Sequence, residues 1–137
     1  MPDVWYENPS GTAPAQGLYS HAGLARGGTL AFIAGQLSVG ANGEVVGAGD
    51  FEAQFRRVIQ NLADLLKGLG TDYKSVVKFT TYLTRSQDIE KFMILRGEMF
   101  PRLFGGETYP PNTLLIVSRL VKADFLVEIE AVAAVHR

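Results

Sequence analysis

There is no cysteine anywhere in the 137 residues. That excludes a disulfide framework, a thiolate nucleophile and a cysteine zinc site together. Histidine is nearly absent too: His21 and His136 are too few for most histidine-based metal sites, and no metal is expected. No charge of one sign prevails. Thirteen basic against 14 acidic side chains leave a net charge of -1, and no basic stripe marks a nucleic-acid partner. Long hydrophobic runs are missing, because Glu128 and Glu130 interrupt the longest one. No segment therefore reaches membrane-spanning length, and no membrane partner is expected. The opening "MPDVWYENPSG" lacks the basic start and apolar stretch of a signal peptide, which makes a cytoplasmic location the expectation. Walker loops, serine elbows and metalloprotease motifs do not occur, and "GANG" reads as a turn.

What is present describes one globular domain over residues 1–137, with 47% apolar residues, enough to bury a real core. Residues 1–16 read as an ordered N-terminal loop or short edge segment. "LYSHAGLARGGTLAFIAGQL" has two apolar runs around Gly27-Gly28 and predicts a β-hairpin. A glycine-punctuated loop follows, with room for a short strand at Val45-Val46. Asp50 is a good N-cap for the next segment. There Phe51, Phe55, Val58, Ile59, Leu62, Leu65, Leu66 and Leu69 recur at helical spacing until Gly68 and Gly70 end it. "SVVKFTTYLT" (75–84) is a strand by its β-branched and aromatic content. Ser86 is expected to cap a second helix with Ile89, Phe92, Met93 and Phe100 inward, Arg96 solvated, and Pro101 closing the segment. "TLLIVSRL" and "FLVEIEAVAAV" are the last strands. The order predicts an α+β domain, two helices on one face of a mixed, mostly antiparallel sheet.

Two helices cover only one face of such a sheet. Yet three of its strands are apolar on both alternating faces, as strands buried on both sides are. A second copy of the chain is the simplest cover, so a homo-oligomer packed sheet to sheet is expected.

In the last strand Phe125, Val127, Ile129 and Ala131 share one face, and Asp124, Leu126, Glu128, Glu130 and Val132 share the other. Two carboxylates in a core strand each need a cation, hydrogen bonds or a raised pKa. Pairing with Arg119 or Lys78 is one reading. The other makes Glu128 a general acid/base in a cleft between subunits, with Glu130 structural. Tyr19 and His21, two apart on the first strand, share a face, and His21 reads as a satisfied surface histidine. Gly35 marks either a bulge or a close approach of backbone to ligand.

The glycine-turn hairpin ending in "GQ", the helix "DFEAQFRRVIQNLADLLKGLG", "VVKFTTYLT" and the terminal "EIEA" resemble the reactive intermediate/imine deaminase (RidA, YjgF) family. The resemblance runs from about Gly17 to the end. It implies a chorismate-mutase-like fold, a homotrimer with clefts between neighbouring subunits, and cofactor-free hydrolysis of enamines or imines to ketones and ammonia. By the same resemblance Tyr19 lines the pocket, Gly35 closes its backbone on the ligand and Glu128 is catalytic, positioning the attacking water. The turn in "RLVKADFLVEIE" is one residue longer than the commonest form.

Three substrate-binding positions depart from that pattern. Where "PARS" would carry the carboxylate-binding arginine, "PPNT" places Asn112 followed by Thr113. Two residues after Asn112 stands Leu114, and Met93 replaces a polar pocket residue on the second helix. Losing two charge-assisted hydrogen bonds weakens discrimination for a carboxylate by about two to four powers of ten. A simple 2-imino acid is therefore not the expected small-molecule partner. The expected activity is hydrolysis of an enamine, imine or related C–N bond in another ligand, with Thr113 and Gly35 backbone groups and Asn112 stabilising charge. The alternative is a ligand-binding or regulatory trimer that kept the fold without the chemistry. A ribonuclease or translation-inhibiting role, also attached to the family, is disfavoured by the missing basic stripe.

Overall fold

The structure is a computed structural model that describes residues 3–137; the first two residues of the expected N-terminal segment lie outside it. In chain order it has β1 (Asp3–Glu7), β2 (Ala22–Arg26), β3 (Thr29–Gln36), α1 (Phe51–Gly68), β4 (Val76–Leu83), α2 (Ile89–Phe104), β5 (Asn112–Ile116) and β6 (Val127–Val135). Short 3-10 turns, Tyr73–Ser75 and Ser86–Asp88, precede β4 and α2. β3, β6, β4 and β5 form one sheet in that order, with β4 and β5 parallel and the other pairs antiparallel. The mixed sheet and its two helices are the expected α+β architecture.

α1 forms where its periodicity says it should. The Asp50 carboxylate accepts from the Ala53 N–H at 3.0 Å, and Gly70, at φ +83°, follows its end. Phe55, Val58, Leu62 and Leu66 on its inner stripe are wholly buried against Ile33, Val127, Ile129 and Ala131 of the sheet. Each such side chain contributes about 1.5–3 kcal/mol on burial. Gln54 sits in the same stripe with no exposure. Its amide donates to the Gly47 and Asp124 carbonyls, and Oε1 accepts from the Leu126 N–H at 2.8 Å. One side chain thus ties the start of α1 to the start of β6.

Several expectations need correction. The β2–β3 hairpin does not form. Gly27-Gly28, at φ +80° and +76°, is a bend that passes the chain between sheets, because β2 takes β1 as its antiparallel partner. Gly23 lets that arm pack on β4: a Cβ there would lie 2.0 Å from the Val77 carbonyl oxygen, and the Tyr6 hydroxyl donates to Val76 O at 2.6 Å. Tyr19 and His21 precede β2 rather than lie in it. Ser86 opens the 3-10 turn instead of capping α2; there an Arg85–Asp88 ion pair at 2.8 Å holds the corner.

α2 also continues through Pro101 to Phe104 and ends at Gly105 in the left-handed region, φ +66°. Phe100 and Phe104 pack with Tyr73, Phe79 and Tyr109 beyond the proline. That aromatic cluster offsets the lost backbone hydrogen bond. β5 stops at Ile116 and β6 begins at Val127, shorter than the apolar runs suggest. Leu30, Phe32 and Leu115 stand on the sheet face away from the helices, and Phe32 is 78% exposed. That open apolar face is the one for which a second copy was expected.

Candidate active site

β6 presents Val127, Ile129 and Ala131 to the core, all buried, and turns Glu128 and Glu130 to the opposite face, both half-buried; Phe125, expected in this strand, precedes it. The alternation leaves two carboxylates beside each other, and they find different surroundings. Tyr82, on β4, donates its hydroxyl to Glu130 Oε1, and that bond raises the Tyr82 pKa. Glu128 receives no such donor among the described residues. Among the described residues no ion pair reaches either glutamate: Arg119 instead donates to the Leu120 and Val121 carbonyls. Burial first, and the neighbouring Glu130 charge second, push the Glu128 pKa above the ordinary carboxylate value.

Gly35 backs directly onto this carboxylate. The register of β3 against β6 shifts between Ile33 and Gln36, and a Cβ on Gly35 would lie 1.9 Å from Glu128 Oε2. The bulge, one of the two readings of this glycine, is present. The backbone closes on the glutamate itself.

A second group gathers around an open cavity of about 730 Å³ between the arm and the sheet. Tyr19, Ser20, His21 and Gly23 line one wall, and Lys78, Pro111, Asn112, Thr113, Leu114 and Val132 the other. Asn112 does line a cavity, with its Oδ1 engaged by the Thr81 hydroxyl at 2.8 Å. The amide therefore offers mainly its N–H donors. His21 is a surface residue whose Nε2 lies 2.5 Å from the Ala13 carbonyl oxygen, with the Tyr19 ring edge-on at 6.1 Å.

Met93 and Arg96 depart from expectation in opposite senses. Met93 does not point inward and is 39% exposed. Arg96, expected to be solvated, is 2% exposed. Its guanidinium lies 4.9 Å over the Phe92 ring and 6.0 Å from the Tyr19 ring, with Nη2 3.0 Å from the Met93 sulfur. Sequence reasoning missed the burial of Arg96, which rests on contacts with Tyr19 and Gly17 far away in sequence as well as on the Phe92 ring.

Within one chain the expected site residues fall into two sets. Tyr19, Asn112, Thr113 and Leu114 share the cavity, with Met93 joined to Tyr19 through Arg96; Gly35 and Glu128 form the other set. Val132 lies at the cavity four residues along β6 from Glu128, a distance of roughly 13 Å at strand rise. The carboxylate is not among the residues lining that cavity.

A mixed four-stranded sheet thus carries two helices on one face and the Glu128 carboxylate on the other. The profile of the family described as "Endoribonuclease L-PSP" matches residues 10–135. A RutC family protein of Pyrococcus horikoshii is 38% identical over 118 residues, covering 85% of this chain and 86% of that one. The 3-aminoacrylate deaminase RutC of Acinetobacter baylyi is 31% identical, covering 93% and 94%. A Rid family protein of unknown function from Yersinia pestis superposes with a TM-score of 0.84 at 30% identity, covering 96% and 98%. The chain belongs to the RidA/YjgF family.

Proposed function

We propose that this protein hydrolyses the C–N bond of an enamine or imine without a cofactor, in clefts between neighbouring copies of a homotrimer. The observation that carries this reading is Glu128: a half-buried carboxylate with no cation among the described residues, a raised pKa and a bare glycine behind it. A carboxylate shifted toward neutrality can both take and return a proton. Water adds its oxygen to the imine carbon while Glu128 accepts a proton from it. Glu128 returns that proton to the nitrogen, giving a carbinolamine; it then takes the hydroxyl proton and delivers it to the same nitrogen, so that the C–N bond breaks, ammonia leaves and the carbonyl forms. An enamine enters the same sequence after protonation at carbon. N–H groups of Asn112 and of the Gly35 and Thr113 backbone stabilise negative charge on the ligand.

The similarity to a 3-aminoacrylate deaminase supports a deaminase-type activity. Asn112 favours a substrate other than a simple 2-imino acid held at that position, because an amide offers no charge there. The test generates 2-imino acids in place with an amino-acid oxidase, adds enamine substrates in parallel, and follows carbonyl formation. Activity lost in Glu128→Gln supports the reading. Imino-acid hydrolysis gained only in Asn112→Arg assigns the natural substrate no acid at that position. Silence on every substrate favours the second reading, a ligand-binding trimer, which the missing cation at residue 112 also supports.

A further inference from the structure

Arg96 is a buried cation without an anion. Its Nε has no hydrogen-bond partner, and its one side-chain acceptor among the described residues is the Met93 sulfur, a weak one. No carboxylate forms an ion pair with it among the described residues. The Phe92 and Tyr19 rings accept part of the charge, but rings do not satisfy in-plane N–H donors. A guanidinium stays charged when buried, so the fold holds an unmatched positive charge at this point. Gly17 packs directly on the guanidinium: a Cβ there would sit 2.5 Å from Nη2, so a glycine is needed for the cation to lie here. Tyr19, which lines the cavity, and the part-exposed Met93 both lie beside Arg96.

We infer that Arg96 is the anion-binding group of the ligand cleft, receiving a carboxylate of the substrate beside Tyr19 and Met93 in place of the arginine that residue 112 lacks. This rests on the cleft being the ligand site. It deepens the reading of its chemistry: the substrate is an acid, but its carboxylate docks on α2 rather than at the start of β5. The planar guanidinium presents paired N–H donors that match two carboxylate oxygens, and an amide cannot replace that ligand group without losing charge assistance. Met93 then acts as a displaceable cover, since a thioether gives up its contact to Nη2 at little cost.

The test uses two acid–amide pairs as probes, pyruvate with pyruvamide and 4-oxopentanoate with 4-oxopentanamide, titrated calorimetrically at low salt. In at least one pair the acid binds tenfold or more tighter than its amide. Arg96→Gln erases that preference while leaving amide affinity within twofold. Gly17→Ala, which keeps the guanidinium and crowds Nη2, reduces acid binding selectively, so the claim remains testable if Arg96→Gln fails to fold. No acid preference in either pair overturns the inference and leaves the guanidinium to rings or to a carboxylate of a neighbouring copy. So does a preference that survives both variants. An acid preference that depends on Arg96 in a protein without C–N hydrolysis keeps this inference and rejects the enzymatic one. Hydrolysis without an acid preference does the reverse.

Discussion

Glu128 lies against the backbone of Gly35 so closely that a methyl group on the glycine would fall 1.9 Å from Oε2. The two residues sit on adjacent antiparallel strands at a register shift, and the missing side chain makes space for the carboxylate. Gly35→Ala therefore moves Glu128. A displacement near 1 Å at a catalytic group costs about a hundredfold in rate, and overpacking costs about 1–3 kcal/mol in stability. Steady-state kinetics beside thermal melts check both; a Gly35→Ala protein with unchanged rate contradicts the contact.

The raised pKa of Glu128 has a signed consequence for stability. Folded protein holds the Glu128 proton more tightly than unfolded chain, so the group favours folding below the ordinary carboxylate pKa and opposes it as pH rises through the folded value. Glu128→Gln removes that opposition. The variant should melt higher than its parent at pH 8, and the difference should vanish by pH 4. A variant that melts lower than its parent at pH 8 would show that the carboxylate is stabilising when charged.

Gln54 fastens the start of β6, and hence the strand carrying Glu128, through three hydrogen bonds in a fully buried place. Truncation to alanine leaves the Leu126 N–H and two carbonyls without their partner, at a cost of about 2–4 kcal/mol. Denaturant unfolding reads this directly. A loss under 1 kcal/mol would mean that water replaces the amide.

Phe32 stands 78% exposed, opposite Val132 on the sheet face away from the helices. In the proposed homotrimer, burial of that ring between copies would make it a support of the assembly. The unmodified protein should sediment at three times the 14.9 kDa chain mass, and Phe32→Lys should sediment as a monomer. A monomeric parent protein removes the shared cleft altogether.

How far the chain could be read in advance differs from one element to the next. α1 was legible because its inner stripe, its Asp50 cap and its closing glycines agree with one another. The alternation along β6 likewise separated the core residues from Glu128 and Glu130. Strand partners were less legible. Gly27-Gly28 announces a sharp change of direction, but β2 pairs with β1 because Gly23 and Tyr6 dock the arm on β4, a long-range contact that no local signal carries. Pro101 read as a stop, and the aromatic cluster beyond it overrode that preference. The burial of Arg96 depends on Gly17 and Tyr19, far away in sequence, so a charged residue on an amphipathic helix gave no hint of it.

The central claim is that Glu128 of one copy works with the Tyr19 cavity of another, since Glu128 is not among the residues lining that cavity within a chain. Mixing tests it. Glu128→Gln and Tyr19→Ala proteins, each inactive alone in C–N hydrolysis, are unfolded together and refolded at equal concentration. Random assembly gives about a quarter of the clefts both intact halves, so about a quarter of the native rate returns. No recovery in a mixture shown by mass to contain mixed trimers would place both halves in one chain and contradict the account.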